Sequence, residues 1–252
     1  MFRDLVENID EWDGYSIEPK LHLDVPFVPT DDALITAMFK LAGLNKNDVL
    51  YDLGAGDGRI VITAAKQFGI KAVGIELDPM RISESLEDVM EAKVEHLVEL
   101  IEGSIFEADF SEATVVTLYL MDSVNVLLRP RLLSELHPGT RIVSHAFDMG
   151  DWQADEALEL GGITLYKWVV PAQVAGVWQW ESDEGHIYHL AFQQQYQKVS
   201  GELWMDDRPA QLLQTKLEGC SLELAIQADL NQPIQHVLLS FENEEGPELE
   251  WL

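Results

Sequence analysis

A chain of 252 residues with 47% hydrophobic content can fill one large domain, or a medium one with a small companion, and is too apolar for global disorder. Its 45 acidic against 16 basic residues give a formal net charge of -29. That balance argues against nucleic acid as a partner, because phosphate affinity rests on Lys and Arg. A single cysteine, Cys220, excludes an internal disulfide and a cysteine metal cluster, and its alternating apolar surroundings read as those of a small buried hydrophobe.

Residues 1–23 are polar, with Trp12, Tyr15 and Ile17 as anchors, and are expected to form an arm over the next domain. The start is too acidic for a secretory signal, and no apolar stretch approaches the roughly 20 residues of a membrane span. A soluble, cytoplasmic protein with no membrane partner is expected. Two prolines make Val25 to Thr30 extended, and Thr30 or Asp31 then caps a helix with Leu34, Ile35, Met38, Leu41 and Ala42 on one face. Val49, Leu50, Tyr51 and Leu53 form a short strand that stops at Gly54, Gly56 and Gly58. Helical spacing follows in Ile60, Ile62, Ala64, Ala65 and Phe68.

A second strand over Ala72 to Leu77 meets Asp78-Pro79, an N-cap followed by proline. The next helix should turn Met80, Ile82, Leu86, Val89, Met90, Val94 and Leu97 inward and end near Glu99. Strands are expected over 98–102, 113–120 and 141–147, with a helix over 123–136 that Pro130 kinks or divides. From Gly162 the texture changes to successive strands separated by turns, the first one or two of which finish the main sheet. The fold class is therefore α/β: a mostly parallel sheet with helices on both faces over 24–171, then an antiparallel meander or barrel over 172–252. Trp178 and Trp180 share one strand face there, as core packing or as a partner surface.

Ligands of such sheets bind at the strand C-terminal ends, where the glycine turn lies. A Walker A loop needs Gly-Lys-Ser/Thr, whereas this turn ends Gly58-Arg59-Ile60. A dinucleotide fingerprint needs its third glycine one residue later. Gly-x-Gly-x-Gly, preceded by Asp52 and with Asp57 inside it, would repel a pyrophosphate but suits the cationic methionine end of S-adenosylmethionine. Glu76 ends the second strand, where a carboxylate can take both ribose hydroxyls.

Asp52-Leu53-Gly54-Ala55-Gly56-Asp57-Gly58 resembles the first signature motif of the class I methyltransferases. The resemblance implies that Asp52 and the glycines hold the methionine moiety, that Glu76 holds the ribose and that Leu77 packs on the adenine. Where that family offers Asp to the adenine amino group, Ser104 stands here, leaving the contact to Ile105, Phe106 or a backbone group. With Val25 to Thr30, Asp52 to Arg59 and Val73 to Pro79, the chain is also similar to the small lysine methyltransferases related to those that modify the ATP synthase c-subunit, and to non-SET histone lysine methyltransferases. There the proline segment helps close the site, which would place Phe27, Pro29 and Thr30 around it.

Methyl transfer needs positioning above all, and an ammonium acceptor must first lose a proton. Candidates at the strand ends are Tyr119, Asp122, Asn125 and His145, with Tyr119 as the catalytic candidate. No metal-ligand spacing is present, so no metal is expected. The resemblance implies a protein lysine as acceptor. Alternatives are a small-molecule methyltransferase and a non-catalytic adaptor that binds the cofactor. Nucleic-acid methylation is disfavoured by the charge and by Tyr119-Leu120-Met121-Asp122 standing in place of an Asn/Asp-Pro-Pro-Tyr sequence.

Overall fold

Two seven-stranded sheets organise the computed structural model, which describes residues 27–182, 184–242 and 247–252. The expected arm, Val25 and Pro26 lie outside the described residues. The first sheet is built from β1 (Val49–Leu53), β2 (Lys71–Glu76), β3 (Val98–Glu102), β4 (Val115–Leu118), β5 (Arg141–His145), β6 (Glu156–Leu160) and β7 (Ile163–Val169). Their order is β3-β2-β1-β4-β5-β7-β6. The first five run parallel, β7 is antiparallel to β5, and β6 is antiparallel to β7. The order reverses between β1 and β4, so their C-terminal ends open a crevice.

Helices α1 (Asp32–Ala42), α2 (Arg59–Phe68), α3 (Pro79–Ala92) and α4 (Asp122–Glu135) cover the sheet. Alternation along the strands divides the core. Leu50, Ala72, Val115 and Val143 pack with α1 and α2, while Tyr51, Leu53, Val116 and Leu118 pack with Leu128 and Leu132 of α4. The side chain of Asp31 caps α1, accepting the Ala33 N–H at 2.9 Å.

Three expectations are corrected. Helix α3 ends at Ala92, not near Glu99, because Lys93 takes a left-handed φ of 60° and closes the last turn onto Met90 and Val89. Its buried stripe is narrow, Ser85 and Val89, so Met80, Leu86 and Met90 are exposed. Pro130 does not divide α4, since buried Leu128 and Leu132 hold both sides of it on the sheet. β6 is exposed throughout and β14 is four residues long, so neither carried a strand signal.

The second sheet is a meander of β8 (Gly176–Glu181), β9 (Ile187–Gln195), β10 (Lys198–Met205), β11 (Arg208–Glu218), β12 (Ser221–Gln227), β13 (Gln235–Ser240) and β14 (Glu248–Trp251). Each strand pairs antiparallel with the next. It curls over its own core, for Trp178 meets Phe241 at 5.4 Å between ring centroids and Tyr188 meets Trp251 at 5.6 Å. Cys220 is half-buried in the β11–β12 turn rather than inside a strand, its thiol 3.6 Å from the Pro138 carbonyl. Tyr196, in the β9–β10 turn, stacks on Trp152 of the first unit at 5.8 Å and donates to Asp151 Oδ2 at 3.0 Å.

Candidate functional site

A pocket opens at the C-terminal ends of β1, β2 and β4, and every residue expected around the cofactor lines it except Gly58 and Phe106. Gly58 instead starts α2 in the left-handed region, where an added Cβ would stand 3.1 Å from Ser85. Phe106 turns onto the α4 side of the core and donates its N–H to Ser104 Oγ at 3.2 Å. Asp78, Arg81, Leu120 and Val124 also line the pocket. Sequence reasoning missed them because capping, charge and apolarity gave each an ordinary explanation.

The turn requires its glycines. Gly56 has φ 56°, and a Cβ there would lie 2.4 Å from Phe27 Cε2. Phe27 thus rests on the turn, with the Arg81 guanidinium 4.1 Å from its ring centroid. Glu76 braces the turn from β2. Its Oε2 accepts the Gly56 N–H at 2.8 Å, and its Oε1 accepts those of Leu77 and Asp78 at 2.8 and 2.9 Å.

Asp52 is 3% exposed and accepts the Thr117 hydroxyl at 2.7 Å. Burial first, then the neighbouring carboxylates Glu76 and Asp57, push its pKa up to about 7 against the pull of Thr117. Asp57 is clasped by Arg59 through Nε at 3.0 Å and Nη2 at 2.6 Å. Arg59 Nη1 also donates to the Thr30 carbonyl at 3.0 Å, which ties the Phe27–Thr30 strap to the glycine turn.

At the opposite wall Tyr119 stacks on His145, with ring centroids 3.7 Å apart. Burial lowers the pKa of His145, which keeps it neutral near pH 7. Asp122 and Asn125 serve the loop after β5 instead. Asp122 Oδ1 accepts the Asp148 N–H at 2.9 Å, and Asn125 Nδ2 donates to the carbonyls of Phe147 and Asp148 at 3.3 and 3.1 Å.

A 3-2-1-4-5-7-6 sheet with an acid-flanked glycine turn at its switch point defines a class I methyltransferase. The model of the ANTKMT methyltransferase domain family matches residues 52–156. A protein-lysine N-methyltransferase of Saccharolobus islandicus is 44% identical over 151 residues, covering 58% of this chain and 94% of that protein. The ATP synthase C-subunit lysine N-methyltransferase of Xenopus laevis is 28% identical over 144 residues, covering 57% of this chain and 63% of that protein. The crystal structure of an RNA methyltransferase from Salinibacter ruber in complex with S-adenosyl-L-homocysteine is 52% identical, with a TM-score of 0.57, covering 58% of this chain and 96% of that one. The chain belongs to the methyltransferase family of the Saccharolobus islandicus protein and is an S-adenosylmethionine-dependent methyltransferase. The pocket suits that cofactor: a glycine cradle that a Cβ would fill, the carboxylates of Asp52, Glu76 and Asp78 around a cationic ligand, and an Arg59 already neutralised by Asp57.

Proposed function

We propose that the chain methylates lysine side chains of a protein. The observation that carries this reading is the 44% identity to the Saccharolobus islandicus lysine methyltransferase along 94% of its length. When bound, S-adenosylmethionine supplies an electrophilic methyl group on a sulfonium, open to in-line displacement by the acceptor nitrogen. Asp52 offsets the positive charge of the methionine end. Glu76 takes one ribose hydroxyl with the lone-pair site its three amide contacts leave free, since a carboxylate accepts about four bonds. Leu77, Ser104 and Ile105 flank the adenine. Tyr119 meets the acceptor, whose ammonium gives its proton to water before attack.

A second reading follows from the RNA methyltransferase name of the Salinibacter ruber relative. The net charge of -29 ranks it below lysine, as few cations remain to neutralise phosphates. Labelled methyl transfer into cell extract decides between them. Methyllysine in the protein hydrolysate supports the proposal. Label confined to a nuclease-sensitive fraction, or to small molecules, overturns it.

A further inference from the structure

We propose that His145 is a positioning residue for methyl transfer, holding the Tyr119 ring in place and linking it to the Phe27–Thr30 strap; the inference rests on the methyltransferase reading of the pocket. His145 ends β5 and is 2% exposed. Its ring lies against that of Tyr119 with planes inclined by 28°. Tyr119 lines the pocket, so the imidazole is its backing. Nδ1 stands 3.3 Å from Thr30 Oγ1, and the carbonyl of the same Thr30 is held by Arg59.

The backbone holds the imidazole as firmly as its neighbours do. Ala146 has φ 67°, unusual for a residue with a Cβ, and the Phe147 N–H closes a tight turn onto the His145 carbonyl at 2.9 Å. Strain of this kind persists where surrounding contacts over-determine it, and it concentrates at functional sites. Nε2 is buried without a protein partner among the described residues. A phenylalanine would fill the same space with no bare polar atom to desolvate. What imidazole adds is the contact to Thr30, which fixes the Tyr119 backing relative to the strap and, through Arg59 and Asp57, to the glycine turn. Among the described residues the His145 side chain hydrogen-bonds to Thr30 and not to Asp52, Gly56 or Glu76, so cofactor affinity and acceptor positioning should separate.

The test uses His145→Gln, which loses the ring, and His145→Phe, which keeps a ring but loses the bond to Thr30. On the acceptor that the wild-type enzyme labels, His145→Gln should lower kcat about 10-fold or more, the scale of a small misplacement of reacting groups. Its S-adenosylmethionine Kd should stay within about twofold, and His145→Phe, which restores the ring but not the bond, should recover the rate only to the level of Thr30→Val. Thr30→Val should lower kcat in the wild-type background and have no further effect in His145→Phe. A wild-type kcat in folded His145→Gln, a parallel loss of cofactor affinity, or equal Thr30→Val effects in both backgrounds would overturn the proposal. One readout needs no acceptor: the His145 Cε1–H resonance should lie upfield in the wild type and move downfield in Tyr119→Leu. An unshifted resonance removes the stack. A wild type that labels nothing sinks the activity reading, while the ring signal still decides this one.

Discussion

Glu76 accepts the backbone N–H of Gly56 at 2.8 Å, so the carboxylate that ends β2 braces the middle of a turn twenty residues upstream. The residue expected to hold the ribose therefore also shapes the cradle. Glu76→Ala should weaken S-adenosylmethionine binding by about 1–3 kcal/mol, the scale of hydrogen bonds to a charged group. It should also lower the melting temperature of the ligand-free protein, because three amides lose their acceptor. Calorimetric titration and a thermal scan check both; unchanged affinity would mean that another residue holds the ribose.

Gly56→Val should abolish cofactor binding. The turn needs φ 56° at this position, and the first added carbon already meets Phe27 Cε2 at 2.4 Å. The left-handed backbone costs a branched residue about 1–3 kcal/mol before any clash. Cofactor binding at wild-type strength in this variant would refute the role of the turn.

Affinity should depend on pH through Asp52. With its pKa raised to about 7, the folded ligand-free protein keeps a proton that the unfolded chain has released. The folded state binds more protons between the ordinary carboxylate range and about 7, so this group's contribution to stability falls as pH rises through that window. A cationic ligand favours the ionised form, so affinity should rise with pH up to about 7 and then level off. Titrations near pH 6 in buffers of different ionisation enthalpy should reveal proton release on binding. Asp52→Asn should abolish both the release and the slope.

Tyr196 joins the two sheets. Its ring stacks on Trp152, lies 5.3 Å from the Arg129 guanidinium carbon and carries a hydroxyl bound to Asp151. Tyr196→Ala should lower stability by about 1–3 kcal/mol. It should also split one calorimetric transition into two if this contact couples the units; a single unshifted transition would show that other contacts join them.

The alternation of strands and helices, the glycine turn and the acids in and beside it were legible in the sequence because each rests on local physics, whereas the order of the strands in the sheet was not. Continuous apolar runs mark strands buried on both faces, and alternating glycines mark a turn that no side chain tolerates. Tertiary structure decided what depends on residues distant in the chain. It set Phe27 on Gly56, tied Arg59 to Thr30 instead of leaving it free for a ligand, raised the pKa of Asp52 by burying it beside two other carboxylates, and placed His145 behind Tyr119. The same distinction explains the misses. The exposed β6 pairs with β7 through backbone bonds that leave no apolar period, and the outward face of α3 stays bare because no described element packs against Met80, Leu86 or Met90. Propensity and spacing are written along the chain, whereas desolvation, stacking and ion pairing arise between segments that only folding brings together.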